Sequence, residues 1–492
     1  MASTRRRRFG RGVFVAGGAI GLVLSMASIT VANVALTKVS TDPYTNPESY
    51  HQTEEEPDTY SFGSTIVASF QVGRFSNGGA NDIGWATSTN NGATWTHGFL
   101  PGTTIYASPP GPWARISDTA VAYDPKDNVW MIEGLAIDAS ATGKAVIVNR
   151  SLDGGLTWQN PVTVSQGGGG SFYDKSWITC DTSASSSSYG NCYVEWDDAG
   201  TGQTFHMSRS TNGGTTWTAS SVPSQSVLGG QPVVQPNGKV IVPIEGSGLD
   251  SYVSSNGGSS YTGPFDISSI QFHGVAGGLR DGAGLASAEI DGAGKVYVGW
   301  ADCRFRSGCS ANDIVFSTST DGQTWTAVQR IPIVPTSSSA DIFIPGFGVD
   351  HATSGASAHL GVTAYFYPNA SCSTSTCKLG ALFISSTDGG ATWGAPAKLF
   401  PSWISLTGLP NTTLGYMVGD YISTSFGSNG KAYPVIAGAT GSNCVTGNPT
   451  ACHEFMVAPT NGLAVLGGSS RSTTGPVLFR GGSFSALGRT AY

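Results

Sequence analysis

Apolar residues in this chain come in short runs, separated by turn-forming residues. One stretch shows the unit. Asp118 to Asp124 encloses Ala120, Val121, Ala122 and Tyr123; Val129 to Glu133 follows, then Ala145 to Asn149, then Pro161 to Val164. Such runs, bounded by Gly, Pro, Asn and Asp, read as four successive strands. The pattern returns as Asp174 to Asp181, Cys192 to Trp196 and Thr204 to Ser208. Further first strands begin near Gln231, Asp281, Asp341 and Asp420, and an earlier one runs from Glu56 to Phe62. No window carries the period of a long amphipathic helix. The reading is an all-β chain of seven four-stranded units, with six as the alternative if one unit is decoration.

A short phrase punctuates these units: Ser, then Asp or Asn, then Gly, then Thr-Trp. It appears at Ser88 to Trp95, Ser151 to Trp158, Ser210 to Trp217 and Ser386 to Trp393. A shortened copy runs from Ser319 to Trp325, and a worn copy from Ser254 ends on Tyr261. Spacings of roughly 40 to 70 residues mean a supersecondary unit repeated around an axis or along a stack. Mechanically the phrase is a tight turn. Its Asp or Asn accepts backbone N–H bonds, its Gly supplies positive φ, and its aromatic tucks against the hairpin.

The phrase resembles the Asp-box (BNR) repeat of sialidase-like β-propellers. That resemblance implies a single β-propeller over 44–467, with the boxes on the outer hairpins between third and fourth strands, away from the active site. It implies a sialidase-like hydrolase of a terminal or anionic sugar. In that family three arginines clamp the substrate carboxylate, an Asp is the acid/base, and a Tyr assisted by a Glu is the nucleophile. Where the family has Arg-Ile-Pro, this chain has Arg115-Ile116-Ser117.

Composition narrows the partner. Charged residues make up 12% of the 492, glycines number 68, and the net charge is −7. Arg5 to Arg8 and Arg11 form a basic stretch, followed by an uncharged run from Gly12 to Leu36. Residues 1–37 therefore read as a signal peptide or an uncleaved anchor, the one expected route to a membrane. Losing them removes five arginines and no acids, so no nucleic-acid partner is expected. An extracellular glycan is the expected partner, and a secreted monomer the expected state. The eight cysteines fall into local pairs: Cys180 with Cys192, Cys303 with Cys309, Cys372 with Cys377, and Cys444 with Cys452. Close pairing in an exported chain implies disulfides. The tail, 468–492, or the N-terminus is expected to supply the outer strand that the last unit lacks.

Register then points to a site. First strands line a propeller's axis, and six of seven begin with Asp: Asp58, Asp118, Asp174, Asp281, Asp341 and Asp420. A carboxylate ring is expected around one mouth of the channel, with Arg115, Lys175, Arg280 and Arg304 beside it. Substrate would be held by Arg115, Lys175, Arg280, Asp281, Arg304, Asp341 and Asp420. Catalysis would fall to Asp118 or Asp174 as acid/base and to Tyr421, or Tyr416, with Glu245 or Glu289. The Cys303–Cys309 bridge is expected to hold Arg304 and Arg306 over the mouth. No cofactor is expected; Ca²⁺ or Na⁺ is the alternative filling of the ring. A repeated Asp can equally cap a turn. A non-catalytic glycan-binding or adhesion propeller therefore stays open, and more weakly a polysaccharide lyase.

Overall fold

The computed structural model describes residues 34–468, apart from 283 and 449. Strand β1 (Leu36–Lys38) stands alone at the start. Sets of four follow. The first is β2 (Glu54–Phe62), β3 (Thr65–Arg74), β4 (Ala80–Ser88) and β5 (Thr96–Phe99). The second is β6 (Arg115–Asp124), β7 (Val129–Ile137), β8 (Gly143–Ser151) and β9 (Val162–Gln166). Next come β10 (Tyr173–Cys180), β11 (Cys192–Asp198), β12 (Thr204–Ser210) and β13 (Thr218–Ala219). Then follow β14 (Val233–Val234), β15 (Val240–Glu245), β16 (Leu249–Ser254) and β17 (Thr262–Ser268). After them are β18 (Ser287–Ile290), β19 (Val296–Asp302), β20 (Asp313–Ser319) and β21 (Gln329–Arg330). The sixth set is β22 (Asp341–Val349), β23 (Leu360–Tyr367), β24 (Gly380–Ser386) and β25 (Ala397–Lys398). A small hairpin, β26 (Asn411–Thr412) and β27 (Gly415–Tyr416), precedes β28 (Ser423–Phe426), β29 (Ala432–Ala439) and β30 (Glu454–Pro459).

The architecture is an all-β propeller. Inner strands contact one another in the order β2, β6, β10, β14, β18, β22, β28 and back to β2. The sheet count corrects the expectation of seven or six separate blades. Five discrete four-stranded blades are present, and β2–β9 make one eight-stranded sheet. Its halves join through a single residue pair, Ala80 with Ile116. That pair forms because β4 runs close enough to β6 for one ladder contact before the sheets diverge.

Burial explains the apolar runs. All nine residues of β7 are buried, as are all nine of β22. A strand covered on both faces by neighbouring sheets has no solvent side, so its sequence does not alternate. Outer strands such as β5 and β13 carry exposed residues.

Each repeated phrase lies between the third and fourth strand of its set. In the second set Gly155 N donates to Ser151 Oγ at 2.9 Å and Thr157 N donates to Asp153 Oδ1 at 2.9 Å. Equivalent bonds close the turns at Ser88, Ser210 and Ser386. Gly155 sits at φ 82°, a conformation that favours glycine. The closing aromatics differ in burial. Trp158 and Tyr261 are buried, whereas Trp95, Trp217, Trp325 and Trp393 are half-buried.

The last blade is completed by the N-terminal segment. β1 pairs antiparallel with β30, Thr37 opposite Ala458. Val39 N donates to Met456 O at 3.0 Å, and Thr460 N to Ala35 O at 2.9 Å. Residues 36 and 37, within the stretch read as a leader, thus belong to a strand. Residues 469–492 of the tail lie outside the described residues.

All four cysteine pairs are bridged as neighbours. Cys180 is joined to Cys192, and Cys303 to Cys309. Cys372 is joined to Cys377, and Cys444 to Cys452. The first bridge ties β10 to β11, where the two cysteines face each other in the ladder. The other three each close a connection between the second and third strands of a set or its equivalent: β19 to β20, β23 to β24, and β29 to β30. Cys192 and Cys452 are wholly buried, and Cys180 and Cys377 nearly so.

Trp158→Ala empties a buried site between the first two strand sets, and should cost about 3 kcal/mol or more. Chemical unfolding of this variant and of the half-buried Trp217→Ala should show the larger loss for Trp158→Ala.

Candidate functional site

Four inner strands share a defect in their ladders. Register slips in β2 between Glu55 and Asp58, and in β6 between Ser117 and Thr119. It slips in β10 between Asp174 and Trp177, and in β22 between Phe343 and Pro345. A residue at each slip has positive φ: Glu56 at 51°, Asp118 at 28°, Lys175 at 44° and Ile344 at 50°. A bulge inserts a residue and re-aims its side chain. Three of these four side chains are charged, and they meet.

Lys175 is the centre. Its Nζ lies 2.7 Å from Asp420 Oδ2, 3.5 Å from Asp118 Oδ1 and 3.7 Å from Glu56 Oε1. Arg280 grips Asp420 from the other side: Nε donates to Oδ1 at 2.6 Å, and Nη2 donates to Oδ2. Asp420 N donates to Glu56 Oε1 at 3.1 Å. Gln71 donates to the other Glu56 oxygen, and Arg74 Nη1 donates to Gln71 Oε1 at 2.6 Å. Beneath the cluster the Tyr421 hydroxyl accepts from Thr119 N at 2.9 Å. The Trp177 ring meets Tyr421 edge-on at 5.1 Å.

The electrostatics follow from burial against pairing. Burial opposes the charge on Asp420, but Lys175 and Arg280 hold its carboxyl well below the usual range. Burial also opposes the charge on Lys175, and Asp118, Asp420 and Glu56 overcome it, holding its ammonium well above its ordinary value. For the other buried carboxylates burial outweighs pairing, even at Glu55, where Arg74 lies 3.1 Å away. Burial raises Glu133 and Glu195 far above their ordinary values, and raises Asp197 to about 9 with the help of the Asp174 charge. Burial likewise lifts Glu54 to about 8, Glu55 to about 7 and Asp58 to about 7.

The structure brings together only part of the expected ring. Asp118, Lys175, Arg280, Asp420 and Tyr421 meet at the axis. Asp174 is half-buried beside them and accepts from Lys175 N at 3.1 Å. Asp58 instead lies further along β2, accepting from Val121 N at 2.7 Å. Asp281 accepts from Val275 N at 3.1 Å, and Asp341 from Asn312 N at 2.7 Å. Glu245 pairs its backbone with Leu228 and sets its carboxylate against Gly284. The three arginines do not converge. Arg115 donates to Asn77 Oδ1 at 2.7 Å and stacks on Phe75 at 4.0 Å. Arg304 is bound to Asp302 at 2.8 Å and to Ser268 Oγ at 3.0 Å. Arg306 is fully buried against Asp313, 2.6 Å away, and does not overhang the mouth.

Counting strands from their Asp residues missed Glu56. The equivalent of Asp118 in the first and third sets is Glu56 and Lys175, because the bulge shifts side-chain parity by one. Glu133 was missed too: a lone acid inside the apolar run of β7, at the position that Glu195 holds in β11, was the available signal.

Beside Tyr421 the remaining space is small. A cavity of about 20 Å³ is lined by Lys175, Trp177, Gly229, Gly230 and Tyr421, among others. That is room for about one water molecule.

No protein-family model matches this chain, and no curated protein does. Solved structures do match. A Dyadobacter fermentans protein of unknown function is similar at 17% identity and TM-score 0.45, over 71% of this chain and 98% of that one. A leech intramolecular trans-sialidase is similar at 10% identity and TM-score 0.44, over 67% of each chain. A Trypanosoma rangeli sialidase is similar at 14% identity and TM-score 0.45, over 72% of this chain and 59% of that one. At these values the likeness is one of fold alone.

Lys175→Met removes the ammonium, strands Asp118 in a buried place, and leaves Glu56 and Asp420 with one cation fewer. Unfolding free energy should fall by about 3–5 kcal/mol, measured by denaturant titration. A second expectation concerns pH. Glu54, Glu55, Asp58 and Asp197 hold protons in the folded chain where the unfolded chain has released them. Their contribution is full below the ordinary carboxylate range and is lost as pH rises through about 7 to 9. Asp420 has the opposite sign, so its contribution is lost as pH falls below that range. Melting temperature should therefore peak in mild acid and decline from pH 6 to 9, and Glu54→Gln should make that decline shallower.

Proposed function

We propose that this chain is an exported, non-catalytic glycan-binding propeller, in which the axial charged cluster closes the ring rather than engaging substrate. The observation that carries this is the space beside Tyr421, about 20 Å³, which admits no sugar ring. The pairing supports it: Lys175 and Arg280 are both committed to Asp420. Arg115 and Arg304 are engaged elsewhere, so no three-arginine clamp is free to hold a sugar carboxylate. Export is supported by four disulfides and by the basic and apolar residues at the start of the chain. Among the described residues no helix is long and apolar enough to cross a membrane. A monomer acting on extracellular glycan, without nucleic acid, fits the acidic net charge.

A second reading, a sialidase-like hydrolase of a terminal or anionic sugar, is favoured by one juxtaposition. The Tyr421 hydroxyl accepts a bond from Thr119, the residue after Asp118; burial, and then the Glu56 and Asp118 charges, raise its pKa, which works against the phenolate such a nucleophile needs. Under that reading Asp118 is the acid/base, Tyr421 the nucleophile and Arg280 the one remaining clamp residue.

A panel of aryl glycosides, aryl sialosides included, separates the two. The binding reading expects no turnover by the full chain at any pH from 4 to 8. Turnover abolished by Asp118→Asn and by Tyr421→Phe would replace it with the hydrolase. No cofactor is part of either reading. The Lys175 ammonium lies among the carboxylates that were the alternative seat for a cation, so EDTA and added Ca²⁺ should each leave the melting temperature unchanged.

A further inference from the structure

We infer that the opposite end of the axis, on the side of the repeated turns, carries a binding site for a neutral, hydroxyl-rich oligosaccharide. This rests on the glycan-binding reading and assigns it a place and a ligand class.

Beyond the bulges the inner strands diverge around a cavity of about 270 Å³. Its walls include Asp58, Tyr60, Trp177, Gln231, Glu289 and His351. A second cavity of about 340 Å³ shares Tyr60, Thr182, Glu289 and His351 with the first, and runs outward past Phe62. Sharing these walls, the two adjoin as one cleft. The cavity beside Tyr421, by contrast, holds about 20 Å³.

The lining has the chemistry of sugar recognition. Phe62 is 44% exposed and packs on the Tyr123 ring, with centroids 4.6 Å apart. A large exposed aromatic held in place by a second ring offers a face to the C–H side of a sugar. Trp177 and Tyr60 supply further aromatic surface deeper in. Glu289 is partly exposed, and among the described residues its one ionic partner is His351 at 3.6 Å. Its oxygens can accept from sugar hydroxyls, bonds stronger than those between neutral groups. Thr59, Thr179, Thr182 and Ser287 add hydroxyls around the same space.

Charge selects the ligand. Neither cavity is lined by a lysine or arginine, and the one imidazole among the lining residues, His351, faces Glu289, whereas Glu289, Asp291 and Asp350 line one or the other. A sialate or uronate would enter against like charge; a neutral chain would not. The Cys180–Cys192 bridge gives the wall rigidity, since it closes the loop that carries Thr182 and Ser183.

Titration calorimetry on the full chain tests this, using cellotetraose, xylotetraose, maltotetraose and β-1,3-galactotetraose, with 3′-sialyllactose as the anionic probe. At least one neutral tetraose should bind, and sialyllactose should not compete. Phe62→Ala and Glu289→Gln should each weaken binding tenfold or more without lowering the melting temperature. Leu152→Ser, on an exposed repeated turn outside the cleft, should leave it unchanged. If Phe62→Ala unfolds the chain, Glu289→Gln alone decides. Neutral binding that survives both substitutions overturns the site and leaves the glycan-binding reading standing. Preference for sialyllactose overturns the ligand class, and absence of binding by every sugar overturns both. Hydrolysis of aryl glycosides with cleft-dependent binding intact overturns only the non-catalytic reading.

Discussion

One ammonium group, that of Lys175, ties together strands from opposite ends of the chain. It reaches Glu56 near the start of β2, Asp118 in β6 and Asp420 just before β28. Arg280, leading into β18, completes the arrangement through Asp420. Taking such charges out of water costs several kcal/mol per ion, and their mutual attraction offsets this only with good geometry and further hydrogen bonds. Here Gln71, Arg74 and the Asp420 backbone N–H supply those bonds. Positive φ at Glu56, Asp118 and Lys175 is the conformational counterpart. A strained backbone of this kind persists where the surroundings over-determine it, and the ion cluster does so.

The fold was legible because the turn chemistry repeats. Ser151, Asp153 and Gly155 must appear together to make those bonds, and the same need at Ser210 or Ser386 writes the same letters again. Disulfide partners were legible because each pair spans a single connection, as Cys372 and Cys377 do between β23 and β24. Separation into sheets was not, since the pair that fuses two strand sets, Ala80 with Ile116, has no sequence signal of its own. The site was half legible. Asp118, Lys175, Arg280, Asp420 and Tyr421 were named, but Asp58, Asp281 and Asp341 were grouped with them by letter rather than by direction. One inserted residue in β2 turns Glu56 to the axis and leaves Asp58 facing the far cavity. Parity of that kind is set by the ladder and is invisible in a string of residues.

The two ends of the axis therefore differ in kind. At the mouth, charge is dense and mutually paired. At the turn side, Tyr60, Trp177 and Phe62 border open volume with carboxylates and hydroxyls between them. Binding clefts are built where walls are preformed and a few polar groups converge. Strands β2, β6 and β10 contribute to both ends, with Glu56, Asp118 and Lys175 at their bulges and Asp58, Val121 and Trp177 lining the far cavity.

Completion of the last blade by β1 has a kinetic side. Thr37 and Thr460 are hydrogen-bonded across 423 residues of chain. Closing so long a loop adds entropy cost only logarithmically, yet contacts of such separation form late and slowly. When synthesis delivers the N-terminal segment first, β1 must wait without its partner until β30 emerges. Once β30 has emerged, and until β1 docks on it, the edge of the final sheet stays open, and a β1 from another molecule fits it equally well. Crowded refolding would then favour exchange of this strand between chains, giving dimers that share every contact of the single ring.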